Sequence, residues 1–99
     1  MLEVPFLPEF RSRLLDDSKT ATSRTKRLGR VGQRFTAFGG VFQFTSIKKI
    51  PLRWVRDLYY LDEGFDDPAA FVKVWNRIHP RRGFVETDRV WFHVFERVP

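Results

Sequence analysis

Six consecutive residues, Lys19-Thr20-Ala21-Thr22-Ser23-Arg24, gather an amine, three hydroxyls and a guanidinium. Fixed positive charges flanking hydroxyl groups suit the oxygens of an anion or the polar edges of a nucleic acid. The stretch also opens a long basic segment, since Ser18 to Arg56 contains ten Lys or Arg and no Asp or Glu. Within it Lys26, Arg27, Arg30 and Arg34 share a run with Gly29 and Gly32, which reads as a basic loop projecting into solvent and a candidate nucleic-acid surface. A block of acids follows: Asp57, Asp62, Glu63, Asp66 and Asp67. Asp66 and Asp67 suit the start of the helix after them, where the helix dipole favours carboxylates. Glu63 sits beside Gly64 at a helix end that disfavours negative charge, so its carboxylate is expected to face something positive.

Other chemistries are poorly supported. The chain has no Cys, which excludes disulfides, thiolate zinc sites and a Cys nucleophile. His79 and His93 have no ligand spacing with a carboxylate and read as packed or capping side chains, so no metal and no cofactor is expected. Ser18, Ser23 or Ser46 could be drawn into a Ser/His/Asp triad only without the sharp strand-to-helix turn that exposes such a nucleophile. With 18 basic against 12 acidic residues the chain carries a net charge of +6, which favours polyanionic partners.

The elements that must position these groups are legible in outline. Ninety-nine residues fit one domain, 1–99, and eleven Phe, three Trp and two Tyr promise an aromatic core. Pro8 suits the first turn of a short helix reaching Asp17, with Phe10 and Leu14 on one side. Asp16 and Asp17 lie at its unfavourable end, where Lys19 would offset them. From Thr20 the residues suit a strand on which Thr20, Thr22 and Arg24 share a face. Arg34–Phe38 and Val41–Ile47 form a hairpin about Gly39-Gly40, pairing Phe38 with Val41 and Phe35 with Phe44. Pro51 opens a helix with two apolar stripes, Leu52, Val55 and Tyr59, and Trp54, Leu58 and Leu61, which predict burial over a wide arc. Asp67 caps a third helix with Pro68 at its first position and Phe71, Val74, Trp75 and Ile78 on its inner face. Arg89–Val98, apolar on both faces, reads as a central strand. The class is α+β, and a small barrel would spare its few strands open edges. No apolar run nears the length of a membrane span, and the N-terminal stretch has an early acid and two prolines by position 8, so no membrane is expected and a cytoplasmic location is.

Taken in order, the motifs resemble the ASCH domain, of the PUA-like superfamily. They are Lys19-Thr-x-Thr-x-Arg24 after a helix, Val31-Gly-x-x-Phe35 turning into a strand, Glu63-Gly64-Phe65, and Phe71 to Trp75 on a helix running on to His79. The resemblance implies a small PUA-like β-barrel of about five or six mostly antiparallel strands with three flanking helices. It also implies a cleft for RNA or a modified nucleoside around Lys19, Thr20, Thr22, Arg24 and Glu63. One bacterial branch of that family deacylates N4-acetylcytidine, and its catalytic lysine, threonine and glutamate fall on Lys19, Thr22 and Glu63. On that reading Thr22 attacks the acyl carbonyl, Lys19 serves as base or electrostatic stabiliser, and Glu63 orients them. Three lysine-to-threonine positions on a regular strand point them to opposite faces, so the chain must bend at Lys19 or its side chain must wrap around. A third reading is a transcription- or translation-associated interaction module, marked by an apolar patch away from Lys19.

Overall fold

The computed structural model describes residues 1–99. Strand β1 (Leu2–Glu3) leads to a 3₁₀ turn (Pro8–Phe10) and helix α1 (Arg11–Leu15), then β2 (Ala21–Arg24), β3 (Arg34–Ala37) and β4 (Gly40–Pro51). Helices α2 (Leu52–Leu58) and α3 (Pro68–Ile78) follow, and β5 (Arg89–Arg97) closes the chain. No helix is long and apolar enough to cross a membrane.

The strands form one five-stranded sheet in the order β1-β3-β4-β5-β2. Its β1–β3 contact is parallel and the other three are antiparallel, with β5 between β4 and β2 as its two-sided apolar pattern requires. The barrel expected from the sequence is not closed by the ladder, since β1 and β2 are sheet edges. Pro5 has no N–H to donate and follows directly after Val4, which limits how far the edge at β1 can extend. A side chain bridges the gap instead: Arg24 Nη2 donates to the Pro5 carbonyl at 2.7 Å.

The hairpin turns one residue earlier than expected. Its loop is Phe38-Gly39, both at positive φ (49° and 78°), and the register pairs Phe35 with Phe42 and Ala37 with Gly40. Phe38 adopts the left-handed conformation that sequence reasoning reserved for Gly40. The shift preserves the faces, because Phe35, Ala37, Phe42 and Phe44 still point together into the core. Thr45 is a bulge between the pairs Phe44–Phe95 and Ser46–Val94. The extra residue reverses the alternation, so Ile47 and Lys49, rather than Ser46 and Lys48, continue the face begun by Phe42 and Phe44.

Two apolar clusters result. Val4, Phe10, Leu14, Phe35, Ala37, Phe42, Phe44 and Phe95 make one, with the Phe35 ring stacked on Phe44 at 4.6 Å and edge-on to Phe95. Ala21, Ile50, Leu52, Val55, Phe71, Trp75, Val90 and Phe92 make the other, and Phe65 packs against both. Helix α3 starts as expected, with the Asp67 carboxylate accepting from Ala70 N–H at 2.8 Å and Pro68 in the first turn. Helix α2 does not bury a wide arc: Leu52 and Val55 are buried, but Trp54, Leu58 and Leu61 are 44 %, 63 % and 62 % exposed. Seven residues make under two turns, and the chain leaves the helix at Tyr59 before a second face can be covered.

Candidate functional site

The approach of Glu63 to Lys19 is built by backbone. After α2 the chain coils through a turn in which Glu63 N–H donates to Tyr59 carbonyl and Phe65 N–H to Tyr60 carbonyl. Gly64, at φ +93°, ends that turn, and a Cβ there would lie 3.1 Å from Lys19 Cβ. The Asp62 carbonyl accepts from the N–H groups of both Thr20 and Ala21, which fixes the start of β2 beside Glu63. The motif of the first half and that of the second are thus joined by main chain before any side chain is involved.

Lys19 lies ahead of β2, and its side chain wraps back along the strand. Its Nζ donates to the carbonyls of Glu63 (2.6 Å) and Ala21 (2.9 Å) and lies 3.4 Å from Glu63 Oε1. The Phe10 ring centroid is 4.5 Å away, within cation–π range. Lys19 therefore does not neutralise Asp16 and Asp17 as its place after α1 suggested; Asp16 accepts from Ser18 N–H and Asp17 pairs with Arg97. The other carboxylate oxygen, Glu63 Oε2, accepts the Ser23 hydroxyl at 2.6 Å. Lys19, Thr22, Ser23 and Glu63 are all buried. Burial pushes the Glu63 carboxyl above its ordinary value while Lys19 and the Ser23 hydroxyl pull it back, and burial pushes Lys19 below its own while Glu63 opposes. Three oxygens around Nζ match the three N–H bonds of an ammonium, so Lys19 acts as a fixed positive charge.

Thr22 Oγ1 accepts from Arg24 Nε at 3.0 Å, leaving its O–H free to donate elsewhere. The Arg24 guanidinium also lies 5.0 Å from the Phe6 ring centroid. Beneath the strand, buried His93 accepts the Leu28 N–H on Nε2 at 3.0 Å. Nδ1 then carries the proton, toward the Thr22 carbonyl at 3.3 Å.

These groups line a cavity of about 480 Å³, within the range of small-molecule sites. Lys19, Thr22, Ser23, Arg24 and Glu63 form its polar part, and Phe6, Phe10, Phe65, Phe71 and Trp75 its aromatic walls. Exposed Thr25, Lys26 and Ile78 mark its mouth. Of the residues expected from sequence, Thr20 stands apart: it lines a smaller cavity with Asp17 and Arg97, on the far side of Lys19. Arg27, Arg30 and Arg34 also lie outside the cleft lining. The basic loop does not wholly project, because Leu28 is tucked against the first core cluster and tied to His93. Ser23 and the aromatic walls were missed. Alternation on a strand sends Ser23 away from Thr22, and only the position of Glu63 reveals its role.

Solved structures share this fold. Over 96 % of this chain and 77 % of the other, the structure superposes on the crystal structure of an ASCH domain from Lactobacillus crispatus with a TM-score of 0.78 at 15 % identity. The chain has an ASCH-like fold. A DUF984 protein of Enterococcus faecalis is also similar to it, at a TM-score of 0.70 and 16 % identity over 91 % of this chain and 67 % of that one. No family model matches the sequence, and no curated protein matches it. The ASCH-like likeness is therefore carried by backbone geometry, with the cleft residues supplied by this chain's own sequence.

Proposed function

We propose that the cleft of this ASCH-like domain binds a nucleobase, carried by a nucleoside or by RNA. The observation that carries the reading is a buried, doubly held carboxylate, Glu63, among the polar groups of an aromatic-walled cavity of about 480 Å³. The rings offer faces on which a flat base stacks, and Glu63 accepts a base amino group. Thr22 O–H donates to a ring or sugar oxygen, while Arg24 and Lys26 meet a phosphate at the mouth. Lys19 opposes the burial that pushes the Glu63 carboxyl up and holds it in place, since its own donors are taken. The test is titration of nucleosides and mononucleotides, followed by fluorescence of Trp75, against wild type and Glu63→Gln. Loss of one charge-assisted hydrogen bond, about 1.5–3 kcal/mol, predicts roughly 10- to 100-fold weaker binding in the variant. Absence of saturable binding to wild type at millimolar ligand would sink the reading.

One observation favours a second reading, hydrolysis of an N4-acylated cytidine by Thr22, Lys19 and Glu63. Burial drives both members of the Lys19–Glu63 pair toward their neutral forms inside a cavity, as acid–base sites require. The hydrogen bonds favour binding over catalysis, because the partner of Thr22 Oγ1 is the cationic Arg24 rather than a base. Acetate release from N4-acetylcytidine, compared between wild type and Lys19→Ala, decides it; no turnover across roughly pH 6 to 10 removes the hydrolase reading.

A further inference from the structure

The cross-strand register places Arg24 beside Trp91 and Trp91 beside Lys49, a straight row over β2, β5 and β4. Directly paired residues share a face, and the Thr45 bulge is what brings Lys49 rather than Lys48 onto this one. Arg24, at one end of the row, lines the cleft. Arg27 lies over the Trp91 ring with its guanidinium 5.4 Å from the centroid, and Lys49 Nζ is at the same distance. Arg27 and Lys49 are exposed and neither forms an ion pair. At about 4.8 Å per strand the row spans roughly 10 Å, more than a nucleoside in the cleft can use.

We infer that Trp91, Arg27 and Lys49 form a second subsite, which holds the phosphates and one base of a single-stranded RNA continuing out of the cleft past Arg24. The Trp91 ring, with the Arg27 and Lys49 cations over it, combines a surface on which a base stacks in place of a cation with charges for the backbone. An acidic protein segment would use the cations and have no need of the ring. The inference rests on the cleft as a nucleobase site and selects a polymer over a free nucleoside as its occupant.

The test compares a labelled oligouridine of about ten nucleotides with a mononucleotide and with heparin, by fluorescence anisotropy over a salt series. In the double variant Arg27→Gln/Lys49→Gln the oligomer is expected to bind at least about tenfold more weakly at low salt. The slope of log affinity against log salt should shrink by about 1.4, roughly 0.7 for each lost contact, with mononucleotide binding unchanged. Trp91→Leu should weaken the oligomer about fivefold or more and leave heparin unchanged, and Trp91→Phe, which keeps a stackable ring, should recover most of the loss. An unchanged salt slope in the double variant overturns the inference. So does an oligomer affinity indifferent to Trp91→Leu in a variant whose thermal unfolding matches wild type. If the slope shrinks while the mononucleotide fails to bind and Glu63→Gln has no effect on the oligomer, the subsite stands and the cleft reading falls.

Discussion

Lys19 is enclosed by two carbonyls, a carboxylate and the Phe10 ring, so removing it strands an anion. Lys19→Met is expected to destabilise the fold by about 3–5 kcal/mol, as breaking a buried pair does, whereas Lys19→Met/Glu63→Leu should recover much of that loss. Urea denaturation of the three proteins measures both, and a double variant no more stable than the single one would contradict it. The single variant should also acquire a pH dependence. Burial raises the Glu63 carboxyl above 4.5, so the folded state holds its proton more tightly than the unfolded chain. The contribution of Glu63 to stability is then complete below about pH 4.5 and is lost as pH rises through the folded value, more steeply without Lys19 to oppose the shift. Lys19, Thr22 and Glu63 could be picked out from their motifs, yet the carbonyl partners of Lys19 have no sequence signature because every residue supplies one. The spacing from Thr22 required either a bend at Lys19 or a wrapped side chain, and in the structure Lys19 stands ahead of β2 with its Nζ reaching the Ala21 carbonyl.

Among the elements, the turns decide where the site sits. Gly39→Ala meets no atom within 4 Å and suffers only its positive φ, which costs about 1–2 kcal/mol. Gly64→Ala adds a Cβ 3.1 Å from Lys19 Cβ, so it should lose more stability and weaken ligand binding as well. Equal losses in the two variants, with binding intact, would mean that the close approach is immaterial. The β2–β3 loop depends on a different device. Burial holds His93 below its ordinary 6.5, so the stability it contributes is complete above about that pH and is lost as pH falls through the folded value. Protonated Nε2 cannot accept the Leu28 N–H. The protection of the Leu28 amide, the slowing of its exchange relative to the intrinsic rate, should therefore fall on acidification through the folded value of His93, and a rate that tracked only the intrinsic exchange chemistry would refute the link. Helices α1 and α3 were legible because Pro8, Asp67 and Pro68 are local signals. The hairpin register was not, because a phenylalanine occupies a left-handed turn position, and the bulge at Thr45 leaves no mark in composition.

For the molecule as a whole, the acid-free segment remains unpaired in space. Of its ten cations only Lys19 and Arg56 join ion pairs, leaving eight without one. Mutual repulsion among them is screened by salt, so the unfolding temperature should rise between roughly 20 and 200 mM NaCl, the range in which the Debye length shrinks to below about 10 Å. A fall on adding salt, measured by calorimetry, would show that the surface ion pairs outweigh that repulsion. Charge segregation could be read directly from the sequence; the meeting of the two apolar clusters could not, because both draw on the same central strand. Their boundary has a mechanical meaning. Phe6, Leu7 and Phe10 belong to one cluster's side of the cleft, Phe71 and Trp75 to the other's, and Phe65 bridges them. The cleft lies on the seam between the two clusters. An occupant wedged there would act as mortar, touching both clusters at once and tying the opening of one to the opening of the other.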